Sequence, residues 1–215
     1  MKLKVQNIRE KFLSKLEQED FVTDKTGVKT IEIVGASFLA DKPAIFGKPT
    51  EYIERELAWY ESQSLNVNDI PGEVPEIWKA ISSRTGLINS NYGYLIYSKN
   101  NGRQYANVLE ELQRNPNSRR ACMVYNRPSM HGDYNFDGMN DFICTFGTTH
   151  MIRNGKLETV VNMRSNDGVF GYKNDYAWFK HVHDKLVKDL GIESGDIHWQ
   201  VSSLHVYERH FKFVK

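Results

Sequence analysis

Cys144 closes the stretch DYNFDGMNDFIC, residues 133–144, and its chemistry is the first to need a reason. The stretch opens D-x-N-x-D-G, as a calcium-binding loop does, with Asp133, Asn135 and Asp137 ahead of a turn at Gly138. Such a loop ends on a bidentate Glu at its twelfth position, which here is Cys144. A soft thiol does not clamp a hard cation, so the loop lacks its anchor. Two readings remain: a buried core thiol, or a nucleophile delivered by a turn rich in Asp, Asn and Gly.

Other segments carry groups suited to catalysis or anion binding. In IERELAWY, Glu56 shares the helix face of Ile53, Leu57 and Tyr60 by the i, i+3, i+4, i+7 rule. A carboxylate on an apolar face is either one half of an edge ion pair or a proton-handling group of raised pKa. In NSRRACMVY, Arg119 and Arg120 stand together, as solvated charge or as a phosphate fork. In NMRSNDGVFGYKNDYAW, the polar residues Arg164, Ser165, Asn166, Asp167, Asn174 and Asp175 crowd a strand-to-helix junction, more than capping explains. His205 and Tyr207 share a strand face by the period of two.

The elements that position these groups follow from pattern. VQNIREKFLSKL has helical spacing at Val5, Ile8, Phe12 and Leu13, and TEYIERELAWYESQ is helical with Thr50 as N-cap. A further helix is expected over about 101–114, with Tyr105, Val108, Leu109 and Leu112 inward. KTIEIVGASFLA predicts a strand bent at Gly35. RRACMVYN, DFICTFGTTHMIRN and KLETVVNMRSN are strand-like, the last two joined by an Asn154-Gly155 turn. NDYAWFKHVHDKLVKDLG is a helix ending at Gly191, and DIHWQVSSLHVYERHFKFV alternates as a final strand. Helices with a large, mostly antiparallel sheet make an α+β fold.

Composition sets outer bounds. A chain of 215 residues is long enough for one well-cored domain. Lys and Arg number 28 against 27 Asp and Glu, a net +1 that argues against direct nucleic-acid or membrane-surface binding. Two cysteines make no disulfide scaffold and suit a reducing cytoplasm, and no signal peptide or membrane span is evident. Cys122, in an apolar strand, is expected in the core. His181 and His183 point apart on a helix, and no metal site is expected.

Taken in order, DKTGVKTIEIVGASF, RELAWY, IPGEVPEIW, INSNYGY, NPNSRR, RPSM, DFICT, VVNMRSND, FGYKNDYAW and SLHVYERHF resemble the thymidylate synthase superfamily, in particular its deoxycytidylate (dCMP) hydroxymethylase branch. The resemblance covers nearly the whole chain. It implies a single domain over 1–215, with three layers, dimerising through the large sheet. The closing tail that usually follows in the family is not expected here.

The resemblance also assigns roles. Cys144 matches the nucleophile, Glu56 the carboxylate that manages protons and water, and Tyr92 in NYG a tyrosine near the nucleophile. Arg164 and Ser165 match phosphate ligands, Lys25 stands where the family usually has Arg, and Arg119 and Arg120 match arginines that reach the phosphate in the other subunit of a homodimer. Asp167 matches the carboxylate that holds the folate pterin, with Gly171 and Trp78 lining the same cavity. His205 and Tyr207 match groups on the sugar hydroxyl.

One departure bears on the substrate. Thymidylate synthases carry Asn in G-L-P-F-N, where this chain has GYKND ending in Asp175. A carboxylate accepts from the exocyclic amine of cytosine and stabilises its protonated ring, which suits dCMP over the uracil nucleotide. The implied reaction is Cys144 addition at carbon 6, one-carbon transfer from 5,10-methylenetetrahydrofolate to carbon 5, then hydration to 5-hydroxymethyl-dCMP. Alternatives are a deoxyuridylate-modifying or ribonucleotide-directed relative, and a nucleotide-binding dimer without catalysis.

Overall fold

The computed structural model of the chain describes residues 2–215. In chain order its elements are α1 (Val5–Glu17), β1 (Val22–Thr23), β2 (Lys29–Leu39), α2 (Tyr52–Ser62), α3 (Glu76–Ile81), α4 (Tyr92–Tyr97), α5 (Gln104–Arg114), β3 (Cys122–Val124), α6 (Met130–Asp133), β4 (Thr145–Arg153), β5 (Lys156–Asp167), α7 (Gly171–Leu190) and β6 (Glu193–Tyr207). The α+β class expected from the sequence holds. The chain forms two compact units, one made of the segments up to Pro49 and from Ile152 onward, the other Thr50–Met151.

In the first unit the strands run in the order β1-β2-β6-β5. The β1/β2 and β2/β6 ladders are antiparallel, while β5 and β6 are parallel. The parallel pair follows from connectivity: β5 leads to β6 through the 20-residue helix α7, long enough for a crossover. α1 packs Val5, Ile8 and Phe12 on β2, and α7 packs Trp178, Phe179, Val182 and Leu186 on β5 and β6. Each such fully buried side chain contributes about 1.5–3 kcal/mol. Gly191 ends α7 in the left-handed region at φ 66°, where its N–H reaches back to Lys188 O.

The bend expected at Gly35 is real, and the neighbouring strands share it. Burial in β2 falls on odd positions (Ile31, Ile33) before Gly35 and even ones (Ala36, Phe38) after it. The same change separates Met163 from Asn166 in β5, and Val201 from Leu204 in β6. The register sets Val34 opposite Ser203 and Ser165 beside Ser203, so the three breaks line up. A side chain that would otherwise be solvated is turned inward there, and in β5 it is Asn166.

In the second unit α2 and α4 pack so closely that a Cβ at Gly93 would lie 1.7 Å from Tyr60 O. Only glycine permits that approach. β3 pairs antiparallel with β4, Met123 opposite Thr148. Trp59, Ile96, Leu112, Met123, Tyr125 and Ile143 form the core.

Several local expectations are corrected. Thr50 is not an N-cap: Glu51 already has helical angles, and only the Thr50 carbonyl serves, accepting from Ile53 N. On α2, Ile53 and Leu57 are half-buried, and the inner face is Glu56, Trp59 and Tyr60. Leu109 on α5 is likewise half-buried, and Leu13 on α1 is exposed. Cys122 is exposed instead of core. Its strand has three residues, and the two-residue period turns Met123 inward, hence Cys122 and Val124 outward. α7 begins at Gly171, so Asn174 and Asp175 lie within the helix and not at its start. The last strand stops at Tyr207, and Glu208–Phe213 form a 3-10 helix.

Candidate active site

In the second unit the acidic turn holds Cys144 in place through its own contacts. Asp141 is buried, with Oδ2 accepting from Asn89 N at 2.7 Å and Ser90 N at 2.8 Å, and Oδ1 from Ser90 Oγ at 2.6 Å. Asp133 accepts from Ser129 Oγ at 2.8 Å and Arg127 Nη2 at 3.0 Å, and these bonds, the Ser129 one foremost, hold its carboxyl below the usual range. These are turn-building contacts, not a converging oxygen cage. Cys144 follows, half-buried, one residue before β4, with Sγ 3.9 Å from Phe142 O. Thr145 Oγ1 donates to Tyr92 Oη at 2.9 Å, and Tyr92 stacks on Tyr60 of α2 with centroids 5.3 Å apart. Asn91, fully buried, accepts from Tyr94 N and donates to Trp59 O and Ser64 O, which fixes the start of α4.

On α2, Glu56 is 5% exposed. Burial raises its pKa to about 7, against the lowering effect of hydrogen bonds from Tyr52 and Trp78. Tyr52 Oη donates to Glu56 Oε1 at 2.8 Å and accepts from Trp78 Nε1 at 2.6 Å. The apolar-face carboxylate is therefore a group poised near neutrality and not half of an edge ion pair.

In the first unit the shared bend sets the polar cluster. Asn166 is buried, its Oδ1 accepting from Trp199 Nε1 at 3.3 Å and its Nδ2 donating to Asp175 Oδ2 at 2.7 Å. A Cβ at Gly171 would meet Asn166 Nδ2 at 3.2 Å, so glycine leaves room for this pair. Asp167 accepts from Val169 N, Phe170 N and Gly171 N at 3.1, 3.0 and 3.4 Å. The register places Asp167 beside His205, whose ring meets Tyr207 edge-on at 4.9 Å. Arg164 and Ser165 are half-buried on β5.

The family model for thymidylate synthase matches residues 10–215. The chain is 58% identical over 207 residues to the deoxycytidylate 5-hydroxymethyltransferase of Enterobacteria phage T4, covering 93% of this chain and 84% of that protein. The same figures hold for the phage T2 protein of that name. A thymidylate synthase of Bacillus subtilis subsp. natto is 29% identical over 168 residues, covering 75% of this chain and 58% of that protein. The chain belongs to the thymidylate synthase family.

As a thymidylate synthase family member, it presents its expected site residues in separate settings. Cys144 and Tyr92 are linked through Thr145, Glu56 and Trp78 through Tyr52, and Asp167 and Gly171 through a backbone bond. Lys25 is exposed in the β1–β2 turn, which Asp24 shapes by accepting from Thr26 N and Val28 N. Arg119 and Arg120 are exposed ahead of β3, and Arg120 reaches Glu111 at 3.3 Å. Two residues acquire a place that the sequence reading had not given them: Asn166 as the partner of Asp175, and Tyr52. For Tyr52 the signal was its i, i+4 spacing to Glu56.

Metal-competent groups meet elsewhere. Among the described residues, Glu158, Asp196 and His198 bring ligand atoms within 4.8 Å of one another. His198 Nε2 already lies 2.8 Å from Glu158 Oε2, a hydrogen bond that accounts for the grouping. His183 is a satisfied core histidine between Thr159 Oγ1 and Ser194 Oγ.

Proposed function

We propose that this protein converts dCMP to 5-hydroxymethyl-dCMP with 5,10-methylenetetrahydrofolate as co-substrate. The observation that carries the substrate class is Asp175, a carboxylate oriented by Asn166 where the wider family has a base-reading amide. Similarity to the phage hydroxymethyltransferases supports the same reaction class.

Cys144 is the nucleophile. Its thiolate adds at carbon 6 of the pyrimidine, which makes carbon 5 an enamine-type nucleophile. Asp175 accepts from the exocyclic amine and stabilises the protonated ring. Tyr92, tied to the strand start by Thr145, stands near the nucleophile. Carbon 5 bonds to the one-carbon unit of the folate; loss of the carbon 5 proton to a base and departure of tetrahydrofolate with the C–N electron pair then leave an exocyclic methylene on carbon 5. Water then bonds to that methylene carbon while its proton passes to Glu56. The π pair moves into the ring, and Cys144 leaves as thiolate with the 5,6 double bond restored.

Trp78, Asp167 and Gly171 are the residues that hold the folate in this reading. Asp167 fits a pterin amine: a carboxylate offers roughly four acceptor sites, and backbone N–H groups take three here. Arg164, Ser165 and Lys25 bind the phosphate, and His205 and Tyr207 the sugar hydroxyl. Arg119 and Arg120 serve the phosphate of the partner subunit in a homodimer, which their exposure supports.

The test is incubation with dCMP and 5,10-methylenetetrahydrofolate, with products read by mass spectrometry. A hydroxymethyl nucleotide is expected. A methylated base, or product from dUMP alone, overturns the reading.

A further inference from the structure

Tyr52 lies one helical turn before Glu56 on α2, and its hydroxyl stands between that carboxylate and Trp78. An indole N–H only donates, and a phenol has a single proton to give. The chain of bonds therefore has one direction, from Trp78 to Tyr52 to Glu56. Burial, then the charge of Glu56, push the ionisation of Tyr52 far above its ordinary value, so the phenol keeps its proton and remains a donor.

We propose that Tyr52 is a positioning residue for the hydration step. It pins Glu56 Oε1 as an acceptor, so that proton exchange with water falls to Oε2, and it connects the carboxylate to Trp78. This rests on the reading of Glu56 as the group that handles water. A donor to the ionised carboxylate favours that form. Burial alone would keep Glu56 protonated, and a protonated acid cannot take the proton of the attacking water. Tyr52 opposes burial and supplies the base form near neutral pH. Trp78 reinforces it, because a hydroxyl that accepts a bond becomes a better donor.

The experiment compares native protein with Tyr52→Phe, which deletes the hydroxyl and keeps the ring. The Glu56 carboxyl is titrated by carbon-13 NMR of glutamate-labelled protein, with Glu56→Gln identifying its signal. Tyr52→Phe should move the midpoint upward by roughly one pH unit. Hydroxymethylation of dCMP should lose about fivefold in kcat at pH 7 with KM for dCMP within about twofold, and recover most of it by pH 9. Trp78→Phe is the second variant and should move the midpoint the same way by less. An unchanged or lowered midpoint, or a kcat loss equal at every pH, overturns the proposal. If the midpoint moves but the native protein makes no hydroxymethyl product, the positioning stands and the functional reading fails. If product forms and the midpoint stays, the positioning alone fails.

Discussion

Asn166 fixes Asp175 in one orientation: Trp199 donates to the amide oxygen of Asn166, so the amide NH2 must face Asp175 Oδ2, 2.7 Å away. One carboxylate oxygen is thereby committed to a donor. As a carboxylate the group offers acceptors to a base. That suits the amine of cytosine.

Replacing Asp175 with Asn therefore has a directed effect. Asn166 would still donate, so the new amide would turn its carbonyl toward Asn166 and its NH2 away, toward a carbonyl such as that of uracil. The native protein should prefer dCMP over dUMP by roughly 10⁴-fold, since a hydrogen-bonding site rejects a mismatched analogue strongly. Asp175→Asn should erase most of that bias, read as carbon 5 hydrogen exchange on both nucleotides. A variant that keeps the native preference removes Asp175 as the base reader.

The two cysteines should separate cleanly. Cys144, half-buried one residue before β4, is assigned the nucleophile, whereas Cys122 is exposed on β3. Cys144→Ser should abolish carbon 5 exchange and Cys122→Ser should leave it nearly intact. The reverse result would refute the assignment.

Arg119 and Arg120 give a test of subunit sharing. Cys144→Ala and Arg120→Ala are each expected to be inactive, and mixing them should restore part of the activity through heterodimers. Demonstrated subunit exchange without recovery would count against arginines that serve the partner.

Glu56 should cost stability in a defined pH window. Its folded pKa is raised from 4.5 to about 7, so the folded state holds the proton more tightly than the unfolded state between those values. Stability from this group is whole below pH 4.5, declines as pH rises through about 7, and is lost above it. The size is about 3 kcal/mol at 1.36 kcal/mol per pH unit. Glu56→Gln should thus match the native protein near pH 4 and melt several degrees higher at pH 8. Equal melting curves at pH 8 would show that the carboxylate bears no burial penalty.

The sequence by itself determined the elements whose signals are local. The i, i+3, i+4 spacing of Val5, Ile8 and Phe12, the Asn154-Gly155 turn and the glycine stop of α7 all follow from chemistry within a few residues. It also placed Glu56 on a buried face and singled out Cys144, because residue type and period are both written in the chain. Tertiary structure decided what depends on neighbours remote in sequence. Cys122 is exposed because Met123 claims the inward face of a three-residue strand. The parallel β5/β6 pair requires α7 to cross over, and the aligned bend at Gly35, Ser165 and Ser203 turns Asn166 inward. The strength and direction of the bonds to Glu56 and Asp175 come from Trp78 and Trp199, 22 and 24 positions along the chain from them. A hydrogen bond needs its donor within about 3 Å, and only the folded chain brings residues so far apart in sequence to that distance.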